Sequence, residues 1–263
     1  MPMLVYTYGA NTDRGDVRSE NQDSILCLTG TVKGHACALF VVADGLGGLS
    51  YGSQVSRFIT EQFARWWRED FPQMMCAGRD SEADIKELLE QEIWDINQSV
   101  LRFKEEAQCR SGSTLSLLLF YGEKYFIKNM GDSRIYRQRA GILERLTEDQ
   151  SLVAQLVREG RMTEKEACKS GKRNILTMCI GMFQIPQSFY ASGQILPGDC
   201  FLVCSDGLYN PVGEEKIAAI LEPPENSAQT KAGELRRLIG PGEASDNVSV
   251  IVAEASRGGS MNR

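Results

Sequence analysis

Short apolar runs that break off at turn residues decide what this chain can fold into. They lie at about 3–8, 24–29, 35–43, 114–120, 124–130, 133–139, 199–204 and 247–254. All are rich in Val, Ile, Leu, Phe and Tyr, side chains suited to a pleated, buried surface. "FYGEKYF" and "QRAGILE" each put a glycine between two runs, which predicts two hairpins and antiparallel pairing. Two stretches carry a long helical period. One is 53–69, with Val55, Phe58, Ile59, Phe63 and Trp66; the other is 82–108, with Ile85, Leu88, Leu89, Ile93, Ile96, Val100 and Phe103. Shorter helices are expected at about 149–159, ending at Gly160, and at 164–169, opened by a Thr163/Glu166 capping box. A last pair is expected near 213–221 and 226–239. Strands outnumber helices and rarely alternate with them, so the fold class is α+β, with two stacked antiparallel sheets covered by helices. The 263 residues suit one large domain, undivided by repeat or linker.

Several function classes drop out on composition. The formal net charge is −6 and no basic block exists, so nucleic acid is not expected as a partner. No apolar run could span a bilayer and the N-terminal residues lack a secretory pattern, so a soluble, cytoplasmic protein without membrane contact is expected. Eight cysteines form no C-x-x-C pair and mostly sit in apolar runs, which predicts reduced, buried thiols. The single histidine, His35, excludes any mechanism that needs two, a zinc-protease helix included. Nothing in the sequence signals an oligomer, so a monomer is expected.

Four of the apolar runs meet an acid. "VVADGLGG" ends in Asp44 and Gly45; "FLVCSDGLY" repeats this with Asp206 and Gly207. "NMGDSRIY" sets Asp132 between two strands, and "SDNVSVIV" sets Asp246 ahead of the last one. One such acid reads as a turn residue. Four imply strand ends gathered at one edge, where carboxylates would resist ionisation unless a cation joined them. Oxygen-only ligands favour Mg²⁺ or Mn²⁺ over zinc. Glycine beside the acid lets a carbonyl or phosphate come close. The stretch "TDRGDVRSENQDS" adds Arg18 among Asp13, Asp16, Glu20 and Asp23. Composition alone reads it as a solvated loop; its chemistry also suits an arginine fork over a bound phosphate. Neither a dinucleotide fingerprint, a P-loop nor a G-x-S-x-G elbow fits the sequence.

Eight stretches in order then carry a resemblance: "TDRGDVRSENQDS", "VVADGLGGLSYGSQVS", "SGSTLSLLLF", "NMGDSRIYR", "LTEDQSLVAQLVREGRMTEKEA", "ILTMCIG", "FLVCSDGLYNPV" and "SDNVSVIVAE". From about residue 7 to 254 the chain resembles the metal-dependent protein serine/threonine phosphatases of type 2C, the PPM family, in their compact bacterial form. The resemblance implies a four-layer αββα sandwich, formed by residues 1–263 as one phosphatase domain with a flap subdomain at about 150–193. It implies two divalent cations, Mn²⁺ or Mg²⁺, and a third, weaker site. Asp44 would bridge two ions, Gly45 would ligate through its carbonyl, and Asp206 and Asp246 would complete the first. Asp132 with Asp206 would hold the third. Arg18 would bind the substrate phosphate and Asp23 would orient water, with Gln22 and Asn247 behind the ligands. The implied reaction is hydrolysis of phosphoserine and phosphothreonine proteins, substrates of a cognate kinase, by in-line attack of a metal-bridging hydroxide.

The sequence departs from the family at Gln22, where an acid is common, at Ser170-Gly171, where a His-Pro pair is usual, and at Met178, where an arginine often stands. The position after the Asp44-Gly45 pair, a histidine in eukaryotic relatives, is Leu46. Two other readings stand beside the phosphatase. One is a catalytically weak relative that binds phosphoproteins or a kinase; the other is a hydrolase of small phosphoesters.

Overall fold

A computed structural model describes residues 4–47 and 51–258. The sequence-predicted start of the first strand at residue 3, and Gly48 in the glycine run after Asp44, lie outside the described residues. One antiparallel sheet runs in the order β1 (Leu4–Asp13), β11 (Val248–Arg257), β10 (Cys200–Cys204), β7 (Arg134–Arg139), β8 (Ile142–Arg145). The other runs β2 (Asp23–Val32), β3 (His35–Gly47), β5 (Leu115–Tyr121), β6 (Lys124–Met130), β9 (Phe189–Gln194), with β4 (Ser111–Ser113) added beside the end of β3. Both predicted hairpins form, β5–β6 and β7–β8.

Side-chain alternation makes the layers. On β3, Cys37, Leu39, Val41 and Ala43 face one core, and Ala38, Phe40 and Val42 face another. The first core is closed by α1 (Tyr51–Arg68), α2 (Asp70–Cys76) and α3 (Glu82–Glu106). The second lies between the sheets, where Phe120 packs against Tyr6 and Phe201 with ring centroids 4.8 and 5.0 Å apart. On the outer face of the first sheet, Leu202, Cys204, Val250 and Val252 meet α7 (Glu214–Leu221) and α8 (Ala228–Arg237). Strands buried on both faces need apolar residues on both, which is why β3, β10 and β11 read as near-continuous apolar runs through their middles. The result is the four-layer αββα order.

The remaining elements are short. α4 (Leu152–Arg158) is followed by Gly160 at φ +68°, and α5 (Glu164–Lys169) carries the Thr163/Glu166 capping box. α6 (Asp206–Tyr209) is one turn. Cys37, Cys179, Cys200 and Cys204 are buried, but Cys76 and Cys168 are exposed, on short helices whose outer faces meet water. All eight thiols are free. No helix among the described residues is long and apolar enough to cross a membrane.

Candidate metal centre

Strand register carries the acids to one end of the sandwich. Cys204, the last residue of β10, lies opposite Arg134 at the start of β7 and Val250 near the start of β11. Asp132, Asp206 and Asp246, each just beyond those strand ends, therefore emerge together. In the other sheet Asp23 sits directly across from Asp44. The backbone of Asp44 is fastened on both sides: its N–H donates to Thr114 Oγ1 (3.0 Å), and its carbonyl accepts from Thr114 N (2.9 Å) and Ser113 Oγ (3.0 Å). Thr114 Oγ1 also pairs with Ser133 Oγ at 2.8 Å, which ties this strand end to the turn that holds Asp132. Ser205 Oγ donates to Asp23 Oδ2 (2.8 Å) and accepts from Ser249 N (3.0 Å), a polar bridge between the sheets beneath the acids.

Two glycines allow the closeness. A Cβ on Gly45 would lie 2.3 Å from the Gly52 carbonyl oxygen, and one on Gly207 would lie 1.9 Å from that of Asn247. Any larger residue at 207 would push α6, and Asp206 with it, away from Asp246.

The basin is charged against itself. Burial, then the Asp23, Asp206, Asp132 and Asp246 charges, hold Asp44 well above the usual carboxylate range. Burial lifts Asp132 to about 8, helped by Asp206 and Asp149. It lifts Asp206 to about 7, with Asp246 and Asp23 adding and Arg173 and Arg18 opposing. Asp23 is pushed up to about 6 by burial, against hydrogen bonds from Ser249 and Ser205. Its Oδ1 is buried without a partner. An orphaned carboxylate oxygen among four more carboxylates is a donor set for a hard cation. These residues fit divalent Mg²⁺ or Mn²⁺. Among the described residues no three acids stand close enough to one point to form a ready-made metal cage.

One cause is Arg18. Its guanidinium forks onto Asp246, Nε to Oδ1 at 2.8 Å and Nη2 to Oδ2 at 2.7 Å, and Asn247 N also donates to Oδ1 at 2.8 Å. The residue expected to grip phosphate thus lies on the basin's rim, with its fork on an expected ligand. Gln22 and Asn247 are structural hubs. Asn247 Nδ2 donates to the carbonyls of Arg14 and Glu20, while its Oδ1 accepts from Gln22 N. The Gln22 carbonyl accepts from Gly45 N and Ser56 Oγ. The other acids of this loop are fasteners. Asp13 takes Gly15 N, Asp16 takes the N–H groups of Gly242 and Ala244, and Glu20 takes Ser53 Oγ.

Sequence reasoning missed three contributors. Arg173, in the stretch between α5 and β9, is close enough for its charge to lower Asp206; its one sequence signal is a basic residue beside Ser170-Gly171. Tyr209 donates from its hydroxyl to the Asp132 carbonyl at 2.9 Å, and the Arg134 guanidinium lies 3.6 Å over its ring. Arg134 also forks onto Asp149, just ahead of α4, with Nη2 to Oδ2 at 2.6 Å.

A model of the family described as protein phosphatase 2C matches residues 14–238, and the chain belongs to that family. It is 31% identical over 253 residues to the serine/threonine protein phosphatase PstP of Mycobacterium tuberculosis, a match covering 95% of this chain. The chain spans about half the length of that relative, 45%. Among solved structures, the S. agalactiae serine/threonine phosphatase superposes with a TM-score of 0.85 at 28% identity, covering 95% of this chain and 99% of that one. The catalytic domain of PstP, in complex with two manganese ions, gives 0.81 at 30% identity, covering 96% and 99%.

Proposed function

We propose that this chain hydrolyses phosphoserine and phosphothreonine in proteins. The observation that carries the reading is the convergence of Asp23, Asp44, Asp132, Asp206 and Asp246 on one basin, with Arg18 on its rim. Two divalent cations, Mn²⁺ or Mg²⁺, would neutralise the acids and supply an activated water near neutral pH. Asp44, with the Gly45 carbonyl, would lie between them; Asp206 and Asp246 would serve the first, and Asp132 with Asp206 a third, weaker site. Arg18 would trade Asp246 for the phosphate oxygens, meeting their charge with two parallel hydrogen bonds. Asp23, which accepts from Ser205 Oγ through Oδ2, would offer its unpartnered Oδ1 to the attacking water. His35 is not the proton source for the leaving oxygen. It begins β3 while Asp44 lies near its end, roughly 30 Å along an extended strand. Water fills that role instead.

The segment at 150–193 would act as a flap beside the cleft, where Arg173, Ser170, Gly171 and Met178 tune substrate preference. The partners are phosphoproteins made by a cognate kinase, met in the cytoplasm by a monomeric phosphatase. The test supplies p-nitrophenyl phosphate and a phosphothreonine peptide, with Mn²⁺ or with chelator. Metal-dependent release from both, lost in Asp44→Ala, is expected. No release with any divalent ion would favour a binding module, and release from the small ester alone would favour a small-phosphoester hydrolase.

A further inference from the structure

The chain carries a net charge of −6, yet one short stretch runs the other way. In "EKEACKSGKR", residues 164–173, Lys165, Lys169, Lys172 and Arg173 are all exposed. Among the described residues none of these four side chains makes a hydrogen bond or an ion pair. Nearby cations are engaged: Arg158 Nη1 donates to the Asp149 carbonyl at 3.0 Å, and Arg161 Nη1 pairs with Glu159 Oε2 at 2.9 Å. Of the two acids in the stretch, Glu166 is turned back into the capping box, where it accepts from Thr163 N and Oγ1. Glu164 leaves the helix about 100° round from Lys165 and about 140° round from Lys169.

Local geometry sets these cations in a row beside the acid basin. Lys165 and Lys169 stand one turn apart on one face of α5. The chain then turns at once, with Ser170 N on the Ala167 carbonyl at 3.1 Å and Arg173 N on the Ser170 carbonyl at 3.2 Å, so Lys172 and Arg173 follow directly on the helix end. The chain beyond that turn is tied down next to Asp132. Thr177 N donates to the Gln150 carbonyl at 2.8 Å, and Gln150 N donates to the Gly131 carbonyl at 2.8 Å. Arg173, four residues ahead of Thr177, brings the row to the basin, where its charge opposes the lift of Asp206. From Lys165 to Arg173 the row spans roughly 10–15 Å, the reach of about four extended residues.

We propose that this row is a docking surface for acidic protein substrates, which draws in the anionic residues that flank the phosphorylated side chain. The inference rests on the phosphatase reading and adds to it the kind of sequence preferred. The chain's overall charge repels an acidic segment, and Arg18 is already forked onto Asp246. Four unpaired cations offset that repulsion locally and steer the segment to the basin. Carboxylates and further phosphates present the same charge, and either suits lysine, which meets an anion as a point charge. Because the side chains are exposed, each contact is weak and screened by salt.

The test compares phosphothreonine peptides of equal length whose flanks carry glutamates, a second phosphothreonine or only neutral residues. With Mn²⁺, the wild-type chain favours both anionic peptides over the neutral one in kcat/KM, and the preference shrinks at high ionic strength. In Lys165→Gln/Lys169→Gln/Lys172→Gln, KM for the anionic peptides rises by about three- to tenfold with kcat unchanged. The neutral peptide and p-nitrophenyl phosphate turn over as in wild type, which reports the variant's fold and metal centre. Arginine at the same three positions restores the preference. Fluorescence anisotropy of the labelled peptides in chelator reads the same preference as binding, so a chain without turnover under any metal would sink the phosphatase reading and still leave the row to be judged. The proposal is overturned if wild type does not distinguish the peptides, if the glutamine variant loses anionic and neutral peptides alike, or if it keeps the preference. Loss of binding to phosphatidylserine vesicles in place of peptide preference would assign the row to a membrane and overturn it too.

Discussion

Replacing Asp23 by Asn separates the two things this carboxylate does. Burial lifts its pKa to about 6, against roughly 3.9 for an unfolded aspartate. Between those values the folded chain holds a proton that the unfolded chain has lost. Native stability therefore falls as pH rises through that window, and the loss is complete above it. Integrating the two titrations, ionising Asp23 costs little near pH 4 and about 3 kcal/mol near pH 8. Asparagine has no proton to lose, and its carbonyl can still accept from Ser205 Oγ. In chelator, Asp23→Asn is therefore more stable than wild type by about 3 kcal/mol near pH 8, and nearly equal to it near pH 4. The assay is urea unfolding followed by tryptophan fluorescence at both pH values. With Mn²⁺ added the sign changes, because the cation stabilises the carboxylate and does less for the amide. A variant equally destabilised at both pH values would refute the reasoning, since the cost would then be lost packing rather than buried charge.

Three further outcomes follow from the same geometry. Gly207→Ala brings a Cβ against the Asn247 carbonyl, a clash with backbone that should cost about 1–3 kcal/mol and weaken Mn²⁺ binding; an unchanged melting temperature would show that α6 is free to move. Arg18→Ala releases both oxygens of Asp246 from a half-exposed ion pair worth about 0.5–1 kcal/mol. Mn²⁺ binding measured by electron paramagnetic resonance should tighten about two- to fivefold as inhibition by inorganic phosphate weakens, and weaker Mn²⁺ binding would contradict the shared-carboxylate geometry. Phe40→Ala opens a cavity between the sheets and should cost about 3–5 kcal/mol in urea unfolding, with a loss below about 1 kcal/mol arguing against close inter-sheet packing.

How much of this the sequence disclosed follows from where each contact lies along the chain. β3, β10 and β11 were legible because both faces are buried along most of their length and apolar residues follow one another there. β9, "FYASGQ", was not, because it closes a sheet edge with small, half-buried residues that satisfy neither a strand nor a helix pattern. β4, α2 and α6 are too short for any period to register. The acids were legible because a carboxylate at a strand end is a local anomaly. Their neighbourhood was not. Arg18 reaches Asp246 across 228 residues, and Asn247 anchors the Arg14–Gln22 loop across 225 to 233. No local pattern encodes such a distance; it is set by β11 entering the sheet beside β1, with Asp13 opposite Val248. That pairing lays the Arg18 loop against the acids, so Arg18 and any cation must divide Asp246 between them. The competition is therefore built into the strand order, not into either motif.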